Sequence, residues 1–285
     1  LLESGLVVTA TCTSCHTAHM PLPSKDPASS VHPERIADTC GTCHEGIEKT
    51  FLGSIHSPLV TKTGEPLPVC STCHTAHTIS RTDTEGFKQN ILNTCGKCHE
   101  DIAKTYFDTY HGKVSKLGTA SAAKCYDCHG AHDILPIANP KSHVSRDNIV
   151  ETCGKCHAGS HRRFAGYLTH ATHHDPQKYP WLFFTFWGMT ALLIGTFAFF
   201  GLHTLAWLPR SFKEMRLKRR QPEDGRMVLR FEPVIRQMHF VLILTFFGLA
   251  LTGMTLKFSY MPWAQELSKV LGGFRTMGTV HRFCA

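Results

Sequence analysis

Hydrophobic and polar positions divide this chain into two parts that meet near residue 181. In residues 1–180 the apolar residues are scattered, and Gly, Pro, Thr and His are frequent. Residues 181–207 and 237–256 are two runs without a charged side chain, each long enough for a helix that crosses a bilayer. The pattern predicts a loop-rich first domain with too few apolar residues for a conventional core, followed by transmembrane helices. A buried helix of a soluble protein is the alternative for each run.

The basic excess behind the formal net charge of +8 is localised between the two apolar runs. The Lys and Arg side chains of that segment are Arg210, Lys213, Arg216, Lys218, Arg219, Arg220, Arg226, Arg230 and Arg236. We interpret them as the cytoplasmic side of a membrane protein rather than as a nucleic-acid patch.

This charge pattern predicts the membrane topology. We expect a first transmembrane helix over residues 181–208, a basic cytoplasmic loop over residues 209–236, and the start of a second membrane domain over residues 237–285. The protein is then anchored in a bacterial inner membrane, in contact with lipid. Residues 1–180 lie in the periplasm, and no nucleic acid is expected as a partner.

Cysteine and histidine dominate the first part, because twelve of the 13 Cys precede residue 181. A disulfide framework or an array of zinc ribbons would explain many Cys, but not a His directly after every Cys pair. The six motifs are Cys12, Cys15 and His16; Cys40, Cys43 and His44; Cys70, Cys73 and His74; Cys95, Cys98 and His99; Cys125, Cys128 and His129; and Cys153, Cys156 and His157. Thiols spaced in this way attach a haem covalently, and the adjacent His binds its iron. The sequence therefore predicts six haem c groups.

The motifs alternate between two types, so the repeating unit holds two of them. The first type reads Cys-x-x-Cys-His-x-Ala-His, and the second reads Ile-x-x-Thr-Cys-Gly-x-Cys-His. The first type occupies residues 12–19, 70–77 and 125–132, and the second occupies residues 36–44, 91–99 and 149–157. We expect a mainly α, loop-rich domain built of three two-haem repeats.

Six further His at equivalent positions are candidates for the second axial ligand of each iron. One ends each first-type motif, and one follows each second-type motif: His19, His77 and His132, and His56, His111 and His170. Met20 is the only Met before residue 181, so bis-His ligation is expected, with low potentials and no open iron position. Which His serves which iron does not follow from the spacing, although a first-type distal His is expected to serve a neighbouring haem.

The first part also contains five further His residues and a repeated spacing of apolar residues. His161, His173 and His174 compete with His170, whereas His32 and His143 are interpreted as surface or supporting residues. Apolar residues at a spacing of four after the second-type motifs, such as Ile47 and Phe51, predict short helices that lead to His56 and His111.

The C-terminal part contains a second group of His residues in a recognisable pattern. Residues 230–239 read Arg-Phe-Glu-Pro-Val-Ile-Arg-Gln-Met-His, residues 249–258 read Leu-Ala-Leu-Thr-Gly-Met-Thr-Leu-Lys-Phe, and residues 280–282 read Val-His-Arg. This stretch resembles the start of the cytochrome b subunit of membrane formate dehydrogenases and nickel–iron hydrogenases. The resemblance implies His239 and His281 as ligands of one or two b haems, and His203 is a further candidate. A His inside an apolar span is costly without a function, which agrees with the resemblance.

The whole arrangement resembles the inner-membrane cytochrome bc fusions of metal-reducing bacteria. That resemblance implies a quinol-oxidising protein that passes electrons between the quinone pool and periplasmic redox proteins through the six c haems. The resemblance also implies further helices, so we expect the chain to be truncated at residue 285.

Two alternatives remain open. The first is an electron-relay subunit of a larger respiratory or photosynthetic complex, such as a hydrogenase or formate dehydrogenase, with other subunits as partners. The second is a multihaem reductase that acts on nitrite, hydroxylamine or a sulfur oxyanion. The sequence contains no recognisable general acid, nucleophile or phosphate loop, and it does not give the direction of electron flow.

Overall fold

The computed structural model describes residues 9–218 and 231–285, and that part of the chain consists of helices and turns without a strand. The mainly helical fold expected from the sequence is therefore confirmed. The helices are α1 (Cys12–His16), α2 (Ile36–Leu52), α3 (Cys70–His74), α4 (Glu85–Gly96), α5 (Glu100–Asp108), α6 (Tyr110–Lys116), α7 (Cys125–His129), α8 (Ile149–Gly154), α9 (Arg162–Ala165), α10 (Pro180–Lys218), α11 (Pro233–Lys257), α12 (Pro262–Val270) and α13 (Gly273–Cys284).

The chain divides into two compact units. The first runs to Thr169 and also includes Thr255–Met277, and the second comprises His170–Met254 and Gly278–Ala285. The segment Thr255–Met277, which the sequence pattern grouped with the second membrane domain, thus packs with the Cys-rich part.

The three first-type motifs form the same short helix, α1, α3 and α7. In each, the third motif residue accepts a hydrogen bond from the backbone N–H of the residue before the first Cys. These bonds are Thr11 N to Ser14 Oγ at 3.1 Å, Val69 N to Thr72 Oγ1 at 3.1 Å and Lys124 N to Asp127 Oδ2 at 2.7 Å. A five-residue helix is too short to be stable by itself, so this cap helps to define it.

The residue after the first His of each first-type motif has a left-handed backbone. Thr17, Thr75 and Gly130 have φ values of 64°, 62° and 82°, with ψ between 163° and 178°. This region of backbone space is nearly restricted to glycine, so the two Thr residues are strained. The turn reverses the chain between the motif His and the His that ends the motif.

The second-type motifs lie where a helix breaks at the motif His. His44 (φ −118°, ψ 44°) kinks α2, and His99 (φ −105°, ψ 51°) separates α4 from α5. The helices predicted after these motifs are present, since α2 continues to Leu52 and α5 ends at Asp108. Both helices end before the next His. His56 therefore follows the end of α2, and His111 lies on the separate helix α6.

The apolar core of the described residues is small. Its buried apolar side chains are Ile91, Leu92, Val114, Leu117, Ala264 and Met277. Domains of this length normally bury many more aliphatic and aromatic side chains. The first unit therefore has little hydrophobic stabilisation from the polypeptide alone.

Two helices are long and apolar enough to cross a membrane. They comprise Pro180–Leu217 and Pro233–Lys257, with mean hydropathies of 1.8 and 1.9. No residue in the most apolar part of the first is buried, which is consistent with a location in lipid.

The first of these helices, α10, extends beyond the predicted boundary at residue 208. It continues through Pro209 to Lys218, so the start of the predicted basic loop is helical. At 39 residues it would span roughly 58 Å, which exceeds the apolar thickness of a bilayer. Arg219, Arg220, Arg226 and Arg230 of that loop lie outside the described residues.

Candidate haem-binding site

Four of the motif His rings face a second His ring at nearly constant separation. The centroid distances are 6.1 Å for His16–His77, 6.0 Å for His74–His132, 6.2 Å for His56–His99 and 6.0 Å for His111–His157. Each pair joins a motif His to one of the six candidate distal His residues. One metal ion between two imidazole nitrogens, at about 2.0 Å from each, would put the ring centres about 6 Å apart. The separations therefore fit an iron held by both rings.

The pairs connect different repeats. His77 ends the second first-type motif and faces His16 of the first, and His56 follows the first second-type motif and faces His99 of the second. None of the four pairs joins a distal His to the motif that precedes it directly. The sequence could not supply this pairing, because it depends on how the repeats pack.

The angle between the two ring planes of a pair differs between the two motif types. The planes of the first-type pairs are nearly parallel, at 12° and 17°, whereas those of the second-type pairs are tilted by 35° and 43°. Each motif type thus has its own ligand geometry, which is repeated in successive units.

Cys side chains of consecutive motifs are also in contact. Cys40 hydrogen-bonds Cys70, which lowers the pKa of the Cys70 thiol to about 7, and Cys95 hydrogen-bonds Cys125, which lowers the pKa of that thiol. These sulfur atoms are the expected attachment points at porphyrin edges. Two porphyrins bound there would therefore approach each other edge to edge.

Five of the eight paired His residues are half-buried, whereas His77, His99 and His157 are exposed. Burial first, and then the neighbouring imidazole, lowers the pKa values of His56, His74 and His111. A lowered pKa favours the neutral imidazole, which is the form that binds a metal.

A buried polar network lies next to the fifth motif and was not found from the sequence. Lys124 is 1% exposed, and its Nζ donates to Ser115 Oγ (2.8 Å) and to the Thr119 carbonyl (3.2 Å). The Tyr106 hydroxyl donates to the Ala123 carbonyl at 2.7 Å. Burial lowers the pKa of Lys124 and raises that of Tyr106 to about 12. A Lys directly before the first Cys of a motif occurs in one repeat only, so the repeat pattern gave no signal for it.

The remaining candidates of the first part are placed differently. His19 and His44 are exposed, and neither has a ring contact with another His in the described residues. His129 has an interaction partner, and His170 is half-buried in the second unit, where burial and Lys178 lower its pKa.

The residues interpreted as supporting ones engage in local interactions. His32 Nδ1 accepts the Glu34 N–H at 3.4 Å, and His143 Nε2 lies 2.6 Å from Asp133 Oδ2. Of the competitors of His170, His161 caps α9, and the rings of His173 and His174 are 4.0 Å apart.

In the second unit, one of the three candidate b-haem ligands is oriented by a hydrogen bond. His281 Nδ1 lies 2.8 Å from Thr252 Oγ1, and that hydroxyl donates to the Gly248 carbonyl at 2.7 Å. The hydroxyl therefore accepts from Nδ1–H, which leaves the Nε2 lone pair for a metal. A Cβ at Gly248 would lie 2.6 Å from Cys284 Sγ, so glycine allows α11 and α13 to approach closely.

The other two candidates, His203 on α10 and His239 on α11, are exposed. Within the described residues, neither makes a hydrogen bond or a ring contact. Their assignment as b-haem ligands therefore remains a sequence-based prediction.

No family model, curated protein or solved structure matches this chain. The kind of ligand is therefore inferred from the side chains that could bind it. Paired thiols, an adjacent His and an opposing imidazole at 6.0–6.2 Å fit covalently attached haem. A zinc ribbon would instead require the thiols and imidazoles to converge on one tetrahedral centre.

Proposed function

We propose that this chain is a membrane-anchored multihaem c-type cytochrome that transfers electrons between the quinone pool and periplasmic redox partners. The main support is the set of four His pairs, each of which joins a Cys-x-x-Cys-His motif to a His of a neighbouring repeat at an iron-compatible separation. The exposed apolar helices α10 and α11 support the membrane anchor.

In this proposal the thiols attach each haem and two imidazoles hold its iron. Haem supplies reversible one-electron chemistry when bound. Two protein ligands leave no iron position for a substrate at the paired sites, so these haems conduct rather than catalyse. The hydrogen bonds between thiols of consecutive motifs, such as Cys95 and Cys125, favour short distances between porphyrin edges.

The membrane part would hold a b haem through His281, with Thr252 orienting the imidazole. The segment Thr255–Met277, which connects α11 to α13, packs against the helix that carries His111. Tyr110 and Phe274 meet edge to face at 5.8 Å, and Ser268 Oγ donates to the Leu117 carbonyl at 3.5 Å. These contacts hold the helix that carries His111 within the first unit.

The proposal is tested by a redox experiment on purified protein. Spectroscopic haem quantification should give six c haems per chain, and a menaquinol analogue should reduce them. His281→Ala should abolish quinol-driven reduction but leave reduction by dithionite intact. His32→Ala, at a position outside the candidate ligands, is the control. Absence of attached haem, or c haems that stay oxidised with quinol in the wild type, would contradict the proposal.

A further inference from the structure

The fifth motif differs from the other two first-type motifs by a buried cation directly before its first Cys. Lys124 precedes Cys125, and its side chain is 1% exposed. The equivalent positions before Cys12 and Cys70 are occupied by Thr11 and Val69, which carry no charge. Lys is rarely buried this completely unless a carboxylate pairs with it. A cation at this position therefore needs an explanation that the repeat pattern does not supply.

The hydrogen-bond partners of the Lys124 ammonium are neutral. Its Nζ donates to Ser115 Oγ at 2.8 Å and to the Thr119 carbonyl at 3.2 Å. The same Ser115 oxygen lies 3.1 Å from the Tyr106 hydroxyl, and Ser115 is 2% exposed. Among the described residues, no carboxylate forms an ion pair with this ammonium. Neutral dipoles satisfy the hydrogen bonds of a cation, but they do not cancel its charge.

This charge acts on the point where a haem would be attached. Lys124 interacts electrostatically with the Cys125 thiol, and Tyr106 interacts with the thiols of both Cys125 and Cys128. The Asp127 carboxylate also acts on Lys124, but it is exposed, so solvent screens its charge more strongly than that of the buried ammonium. A net positive charge therefore remains beside the fifth motif.

A buried cation beside a haem favours the ferrous state over the ferric state, because the ferric iron carries one more positive charge. At an effective dielectric constant of about 20, a unit charge within about 12 Å of an iron changes this equilibrium about tenfold. An exposed charge has a smaller effect, since water and salt screen it. Burial thus makes the Lys124 charge effective, whereas the exposed Lys residues inside other motifs, such as Lys97, should have little influence.

We propose that Lys124 raises the reduction potential of the haem attached at Cys125 and Cys128 above that of the haems attached at the other two first-type motifs. An electron in the partly reduced protein then resides preferentially at the fifth motif. Reduction adds one electron to the ferric iron, supplied by the quinol of the proposed function, and no bond forms or breaks. The inference rests on the proposed function, because it assumes haem at the motifs.

The test is an optical redox titration of the c haems of the purified protein in detergent at neutral pH. In Lys124→Met and in Lys124→Gln, one of the six c-haem equivalents should shift to a lower potential. Its ratio of reduced to oxidised haem should be about tenfold lower at a given potential, which corresponds to about 59 mV. Gln keeps a hydrogen-bond donor, so a shift in both variants assigns the effect to the charge. The matched control is Lys97→Met, at an exposed Lys directly before Cys98, which should leave all six equivalents unchanged.

Several results would overturn the inference. They are unchanged titration curves of both Lys124 variants with six haems attached, a shift in Lys124→Met alone, a shift spread over all six haems, and an equal shift in Lys97→Met. Loss of a haem from both Lys124 variants would also overturn it, because Lys124 would then serve folding or haem attachment. A wild-type protein without attached haem would instead contradict the proposed function.

Discussion

At the residue scale, the residue after the first His of each first-type motif directs the path of the chain to the distal His. Thr17, Thr75 and Gly130 share the same left-handed backbone, and each precedes an Ala-His pair. The reversal carries that His away from its own motif, and His77 and His132 then face the preceding first-type motif. Thr is an unfavourable residue there, because its Cβ is disfavoured in this region of backbone space.

Replacing a strained Thr by glycine should stabilise the protein. For Thr75→Gly we expect a gain of about 1 kcal/mol in the free energy of unfolding, with unchanged haem spectra, because strain is relieved. Denaturant titration of the purified protein measures it. Thr63→Gly is the control in a loop without left-handed backbone, and it should be neutral or slightly destabilising. A loss of stability in Thr75→Gly would show that the backbone there is not strained.

The buried Lys124 should make stability depend on alkaline pH. Burial lowers its pKa in the folded protein, so the unfolded chain binds more protons as the pH approaches the ordinary lysine value of about 10.4. The free energy of unfolding contributed by this residue should therefore rise with pH in that range. In Lys124→Met this rise should disappear, whereas in the exposed control Lys104→Met it should persist. Identical pH profiles of wild type and Lys124→Met would contradict the expectation.

At the element scale, the segment between α11 and α13 packs onto the Cys-rich part. Ala264 and Ser268 on α12 are fully buried, and Met277 on α13 is 2% exposed. These contacts belong to the same unit as α6, which begins at Tyr110 and carries His111. We therefore expect this packing to stabilise the part of the first unit that carries His111.

A charged side chain in the centre of this contact should weaken it. In Ser268→Arg we expect the free energy of unfolding to fall by about 3 kcal/mol, because an unpaired cation would be buried against α6. Val270→Arg is the matched control on the same helix, where the side chain is 81% exposed and the substitution should be nearly neutral. Denaturant titration in detergent measures both. Equal stabilities of the two variants would contradict this packing.

Sequence patterns predicted the elements better than their connections. The apolar runs predicted two long helices, and the apolar spacing after the second-type motifs predicted the short helices that end at Leu52 and Asp108. The predicted end of the first transmembrane helix, residue 208, lies before the end of α10 at Lys218. An apolar run indicates where contact with lipid ends, whereas the helix itself continues through Pro209 into the basic residues. The His pairing could not be predicted from the sequence, since His77 and His16 are brought together by packing between repeats rather than by local spacing.

At the scale of the whole molecule, the proposed cytochrome is a repeat array whose repeats share ligands. A small apolar core and His pairs that bridge repeats mean that haem would supply much of the missing buried surface. Each distal His then has two effects, since it sets the coordination of one iron and joins two repeats. Ligation and folding are coupled in such an arrangement.

The most direct test of this account is a density map of the purified protein that resolves each porphyrin and its two axial ligands. The account predicts a single iron between His16 and His77, between His74 and His132, between His56 and His99, and between His111 and His157. Irons whose motif His is paired with any other side chain at these four positions would contradict it, as would zinc or disulfides at the Cys pairs.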